Sequence, residues 1–147
     1  MKNVLCVGFK GKNNTSGVLA ERLSPQHLLL TNSFAGLRRD IASIRGEYDC
    51  VVMFGVDKTL SSSVRIEKIA SLNGAERASA LDLQRLKDEL ANVGVPAEIS
   101  DIPTAYLCNE AYWHMLDRFS GRAVFIHVPT LKHVDERFIE KMTCLNT

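Results

Sequence analysis

The chain is predicted to fold as one α/β domain spanning residues 1–147, a three-layer α/β/α sandwich around a mainly parallel, mixed sheet. Three observations predict it. Short apolar runs alternate with amphipathic stretches along the whole chain, which is the pattern of strands interleaved with helices. The segment from Tyr48 to Gly55 is apolar almost throughout, as expected of a central parallel strand covered on both faces. At 147 residues and 46% apolar content, the chain can bury one substantial core.

The elements follow in order. Asn3 to Phe9 reads as the first strand, and Gly8 to Gly17 as a polar loop. Ser16 is expected to cap a short helix through Val18, Leu19 and Leu23. His27 to Thr31 forms a second strand with His27 at its edge. Ser33 caps the next helix, on which Phe34, Leu37, Ile41 and Ile44 recur at helical spacing. After the Tyr48 strand, Asp57 to Ser63 is a serine-rich loop and Val64 to Leu72 is extended, at least in part. Asn73-Gly74 marks a turn. Ser79 or Asp82 starts a helix bearing Leu83, Leu86, Leu90 and Val93, which Gly94 and Pro96 stop. A strand at Ala97–Ser100, a helix opened by Thr104, a strand from Ala123 to Val128 and a last helix through Val134, Phe138, Met142 and Leu145 complete the chain.

Composition narrows the function. Eighteen basic residues against seventeen acidic ones leave no net field for nucleic acid, and no local basic run supplies one. The apolar run at the start is too short for a secretion signal or a membrane span. Cys6, Cys50, Cys108 and Cys144 are widely separated, without a Cys-x-x-Cys or a cysteine–histidine cluster at zinc spacing. They read as reduced thiols of a cytoplasmic protein, with Cys6 and Cys50 in the core. Gly8 and Gly11 make neither a dinucleotide fingerprint nor a Walker loop. No metal or cofactor is expected, and no membrane partner.

The chemistry gathers around Ser100–Trp113. A strand end, a tight turn and a helix start place Cys108 in the first helical turn, where unpaired N–H groups and the helix dipole favour a thiolate. Tyr106, Leu107, Ala111, Met115, Leu116 and Phe119 are expected to form the apolar face of that helix. Nineteen residues after Cys108, the strand Ala123–Val128 carries His127 near its end. A cysteine and a histidine so placed are two parts of a thiol hydrolase, although a free cysteine is commonly buried and a histidine in a strand is usually structural. In sheets of this kind ligands bind beyond the C-terminal strand edge. The loops after the first and third strands, the turn before Cys108 and the end of the His127 strand are all expected at that edge. His114 reads as structural, and His27 and His133 as surface residues.

Tyr106-Leu107-Cys108-Asn109, Phe125-Ile126-His127-Val128-Pro129 and Ile66-Glu67-Lys68-Ile69-Ala70 resemble, in this arrangement, the cysteine, histidine and glutamate motifs of the pyroglutamyl peptidase I (pyrrolidone-carboxylate peptidase) family. The resemblance is dense from Val95 to Pro129 and patchy before it. It implies a cytosolic α/β cysteine peptidase that removes an N-terminal pyroglutamyl residue. It assigns Cys108 as nucleophile, His127 as general base and acid, and Glu67 as the group that orients the imidazole. Without it, Glu67, flanked by Arg65 and Lys68, reads as a solvated charge.

The departures lie in the substrate apparatus. The family's N-terminal loop has Gly-Phe-x-Pro-Phe-Gly-Gly followed by Asn-Pro-Ser, whereas this chain keeps only Gly8-Phe9 and Asn14-Thr15-Ser16. The resemblance therefore implies Phe9 as one wall of a substrate pocket and Asn14 beside it, with Tyr106 or a partner subunit of a homo-oligomer as the other wall. The glycine-arginine loop has become Asp57-Lys58-Thr59-Leu60, and Pro103-Thr104 replace a small pair before the cysteine motif. Three readings follow. They are a peptidase acting on pyroglutamyl or a related small amide, a thiol amidase or esterase with another acyl group, and a non-catalytic binding or assembly protein on the same scaffold.

Overall fold

The structure, a computed structural model, describes residues 3–143. Cys144 and Leu145, assigned above to a reduced thiol and to the last helix, lie outside the described residues. Eight strands and five helices follow one another as β1 (Val4–Phe9), α1 (Thr15–Leu23), β2 (His27–Leu30), α2 (Phe34–Ala42), β3 (Cys50–Val56), β4 (Val64–Glu67), β5 (Ile69–Leu72), β6 (Ala75–Ala78), α3 (Leu83–Asn92), β7 (Ala97–Ser100), α4 (Tyr106–Arg118), β8 (Ala123–Val128) and α5 (Glu136–Thr143). Six strands form the main sheet in the order β2-β1-β3-β8-β4-β7, and β5 and β6 form a separate hairpin. The fold is the expected α/β/α sandwich. On one face α2 and α4 cover Val7, Phe9, Met53 and Phe125. On the other, α1, α3 and α5 cover Val52, Phe54, Ile66, Val124 and Ile126. Alternate residues of β3 and β8 thus enter opposite layers, which is why those strands are apolar without interruption.

Caps decide where the helices begin. Ser33 accepts from the Gly36 N–H at 3.0 Å and Asp82 from the Arg85 N–H at 3.0 Å, as their positions before apolar runs predict. Two expected caps are different. Asn14, not Ser16, caps α1, its Oδ1 accepting from the Ser16 N–H at 3.0 Å. Ser16 lies in the first turn and is buried, where its hydroxyl accepts from the Phe9 N–H at 3.0 Å and joins α1 to β1. That approach needs Gly8, since a β-carbon there would lie 2.3 Å from the Ser16 carbonyl oxygen. The residue before α4 is Ala105, which offers no side-chain cap, so Thr104 does not serve as one.

The extended stretch from Val64 to Leu72 resolves into two strands of two sheets, parted at Lys68. Asn73 and Gly74, both in the left-handed region (φ 51° and 82°), turn β5 back on β6, a strand not anticipated. Asn109 on α4 holds the hairpin from above: its Oδ1 accepts from the Ser71 N–H at 2.9 Å and its Nδ2 donates to the Ser71 carbonyl at 2.6 Å. Strand direction corrects the expected convergence on one C-terminal edge. β1, β2, β3 and β8 run parallel, but β4 pairs antiparallel with β8, and β7 runs with β4. Glu67 and the turn before Cys108 therefore follow strands that run the other way. Val134 precedes α5 and is not part of it. Among the described residues no helix is long and apolar enough to cross a membrane.

Candidate active site

The antiparallel register of β4 and β8 sets the site. Arg65 stands opposite His127 and Glu67 opposite Phe125, so all four side chains share the sheet face that α4 covers. His127 Nδ1 lies 3.2 Å from Glu67 Oε1, and both residues are buried, Glu67 at 1% and His127 at 3% exposure. The imidazole leans on the Phe125 ring with centroids 4.8 Å apart. The Tyr112 hydroxyl on α4 donates to the Glu67 carbonyl at 2.7 Å, which fixes the backbone that carries the carboxylate. Glu67 is thus no solvated charge; its Oε2 is buried without a partner among the described residues.

Cys108 is the third residue of α4 and half-buried. The turn that delivers it is sharp, with Tyr106 held at φ 58°, a region that side-chain-bearing residues seldom enter. Its sulfur packs over Gly55, the β3 residue that pairs with His127 in register. Contrary to the thiolate expected of a helix start, the thiol is pushed up to about 12 from 9.0. Burial does most of this, and the Glu67 and Asp57 carboxylates add to it. One turn of helix dipole does not overcome desolvation together with two anions. Cys6 and Cys50 are buried in their strands as expected.

Arg65 belongs to the cluster, and no sequence pattern singled it out. Its Nε donates to Glu67 Oε1 at 2.6 Å, its Nη2 meets Asp57 Oδ2 at 2.9 Å, and the same Nη2 lies 3.3 Å from His127 Nδ1. The only available signal was the i, i+2 spacing of Arg65 and Glu67 on one strand, which places both on one face. Asp57 is drawn in too. Against a burial that would raise it, hydrogen bonds from Thr59 and Arg65 hold its carboxyl down at about 2.

The anticipated substrate residues are placed differently from one another. Phe9 stands two residues beyond Val7, whose partner Met53 is two residues before Gly55, so it points to the same face as the cluster. It is only 5% exposed and packs into the core. Asn14 spends its side-chain oxygen on the α1 cap. Tyr106 is 83% exposed and lies off the apolar face of α4, which Leu107, Ala111, Met115, Leu116 and Phe119 make. An open cleft of about 520 Å³ lies between the loops after β1 and β3 and the turn after β8, lined by Asn13, Lys58, Thr130, Leu131 and Lys132. His114 stays near Glu110 at 3.9 Å, while His27 and His133 are on the surface.

A family model described as pyroglutamyl peptidase matches residues 61–144. Curated relatives include the pyrrolidone-carboxylate peptidase of Oceanobacillus iheyensis, 39% identical over 71 residues, 43% of this chain and 34% of that protein. Another from Bacillus licheniformis is 36% identical over 70 residues, 44% of this chain and 33% of its own length. The chain thus matches about a third of the length of these relatives. Among solved structures, pyrrolidone carboxyl peptidase from Thermus thermophilus is similar with a TM-score of 0.80 at 16% identity, covering 95% of each chain. The Thermococcus litoralis structure has a TM-score of 0.78 at 21% identity, covering 97% of this chain and 90% of its own. At these identities the structures establish the shared fold.

Proposed function

Because the chain belongs to the pyroglutamyl peptidase family, we propose that it is a cysteine-type hydrolase that removes an N-terminal pyroglutamyl residue, or a related small acyl group, from a peptide or amide in the cytoplasm. The observation that carries the reading is the 3.2 Å approach of Glu67 Oε1 to His127 Nδ1 on the sheet face over which Cys108 packs. Cys108 Sγ attacks the amide carbonyl carbon while its proton passes to His127 Nε2. Glu67 accepts from Nδ1–H and stabilises the imidazolium. The tetrahedral adduct collapses to a thioester as His127 returns the proton to the departing amine. Water, deprotonated by the same imidazole, then releases the acid and restores the thiol. Burial and the Glu67 and Asp57 carboxylates raise the thiol, so attack needs a base to take its proton. First-turn N–H groups of α4, which Ala105 does not cap, are suitable donors to the oxyanion.

A second reading, an amidase with another acyl group, is favoured by the aromatics. Phe9 turns into the core and Tyr106 into solvent, so neither offers the ring face that a buried lactam would stack on. A panel of acyl-aminocoumarins tests both readings. The first expects turnover of the pyroglutamyl compound, abolished by Cys108→Ala. The second expects another acyl group to be preferred, with the same dependence on Cys108. Absence of turnover across the panel overturns both and leaves a non-catalytic role on this scaffold.

A further inference from the structure

His127 Nδ1 has two neighbours that make opposite demands. Glu67 Oε1, 3.2 Å away, can only accept a hydrogen bond, and Arg65 Nη2, 3.3 Å away, can only donate one. A neutral imidazole carries one N–H, so Nδ1 satisfies one of them at a time. Glu67 Oε1 already receives Arg65 Nε at 2.6 Å, a much shorter contact than its 3.2 Å to the ring. The guanidinium is held where it is by Asp57 on its far side at 2.9 Å.

We propose that Arg65 is a positioning residue that holds His127 in its Nε2–H tautomer in the resting protein, so that the site is latent until this contact is released. The proposal rests on the catalytic reading of Cys108 and His127. With Nδ1 accepting from Arg65, the ring proton sits on Nε2, and Nε2 has no lone pair to take the thiol proton. Moving the ring proton to Nδ1, through solvent, transfers the hydrogen bond to Glu67 and frees Nε2 as a base. The ring meets Arg65 and Glu67 from β4 and the Phe125 ring, with Asp57 behind Arg65, Tyr112 bonded to the Glu67 carbonyl, and Cys108 over the neighbouring Gly55. Arg65 is the cation of this set, and its side chain is 28% exposed. A substrate or product anion at the strand edge can therefore reach it and draw it away.

The test is nitrogen-15 NMR of the four histidines in the intact protein at mildly alkaline pH. His127→Gln assigns the His127 signals. The expected result is an unprotonated Nδ1 and a protonated Nε2 in wild type, with the proton moved to Nδ1 in Arg65→Gln. A wild-type ring protonated at Nδ1 overturns the proposal, and this readout needs no Arg65 variant to fold. An unchanged tautomer in a folded Arg65→Gln also overturns it. The ring is read without substrate, so this result stands or falls apart from the hydrolysis test.

Discussion

The sulfur of Cys108 rests against the α-carbon of Gly55. A β-carbon built on Gly55 would lie 3.0 Å from that sulfur and 2.6 Å from Phe125 Cζ. Both neighbours are confined, Phe125 within the core and Cys108 in the first turn of α4. Gly55→Ala is therefore expected to lower stability by about 1–3 kcal/mol through overpacking. It should also displace the sulfur from His127. Urea unfolding measures the first effect and acyl-amide turnover the second; a variant with wild-type stability and turnover would show that the contact is soft.

Removing the charge of Glu67 tests its role separately from that of Cys108. Glu67→Gln keeps the shape but leaves the imidazolium unsupported and Arg65 short of one carboxylate. A fall in kcat of about 10²–10⁴ is expected, with little change in KM. A purely structural Glu67 would instead alter unfolding while sparing turnover per folded molecule.

Alkali should unfold the protein through Cys108. Its thiol is raised in the fold, from 9.0 to about 12, so the folded state keeps a proton that the unfolded state gives up. The stabilising contribution is complete below pH 9 and is lost as pH rises towards 12. Cys108→Ala is expected to flatten the decline of Tm across this window, measured by circular dichroism. Cys6, raised to about 11, should contribute a remaining slope.

Acid acts through Asp57 with the opposite sign. Its folded value of about 2 lies below the ordinary 3.8, so its contribution is present above 3.8 and disappears as pH falls through 2. Asp57→Asn should remove that part of the acid transition in a pH series of Tm. Thr59→Ala, which deletes one of the two Thr59 bonds, should shift it upward.

Asn109→Ala should loosen the hairpin without unfolding the sheet. The side chain makes two bonds to Ser71, and losing both is expected to cost about 1–3 kcal/mol. Hydrogen exchange of the β5–β6 amides should accelerate well before that of β3.

Much of this molecule is legible in local sequence. The apolar runs of β1, β3 and β8, the caps Ser33 and Asp82, the Asn73-Gly74 turn and the first-turn place of Cys108 depend on residues a few positions apart. Periodicity and capping chemistry are sufficient there. The motifs around Glu67, Cys108 and His127 were legible too, because each is contiguous.

What tertiary structure decided is what depends on pairing between distant segments. The direction of β4 is one such feature: a four-residue apolar stretch has the same pattern run either way, and only its antiparallel pairing with β8 brings Glu67 to His127. The same pairing turns Arg65, a charge beside another charge in sequence, into a partner of both. Phe9, read as a pocket wall, is a core residue because α2 and α4 cover that end of β1, and Tyr106 is free of the core because the chain enters α4 through a left-handed residue. The thiol of Cys108 follows the same rule. Its place in the helix was a local fact, but its protonation is set by burial and by two carboxylates on other segments, which only the closed fold assembles.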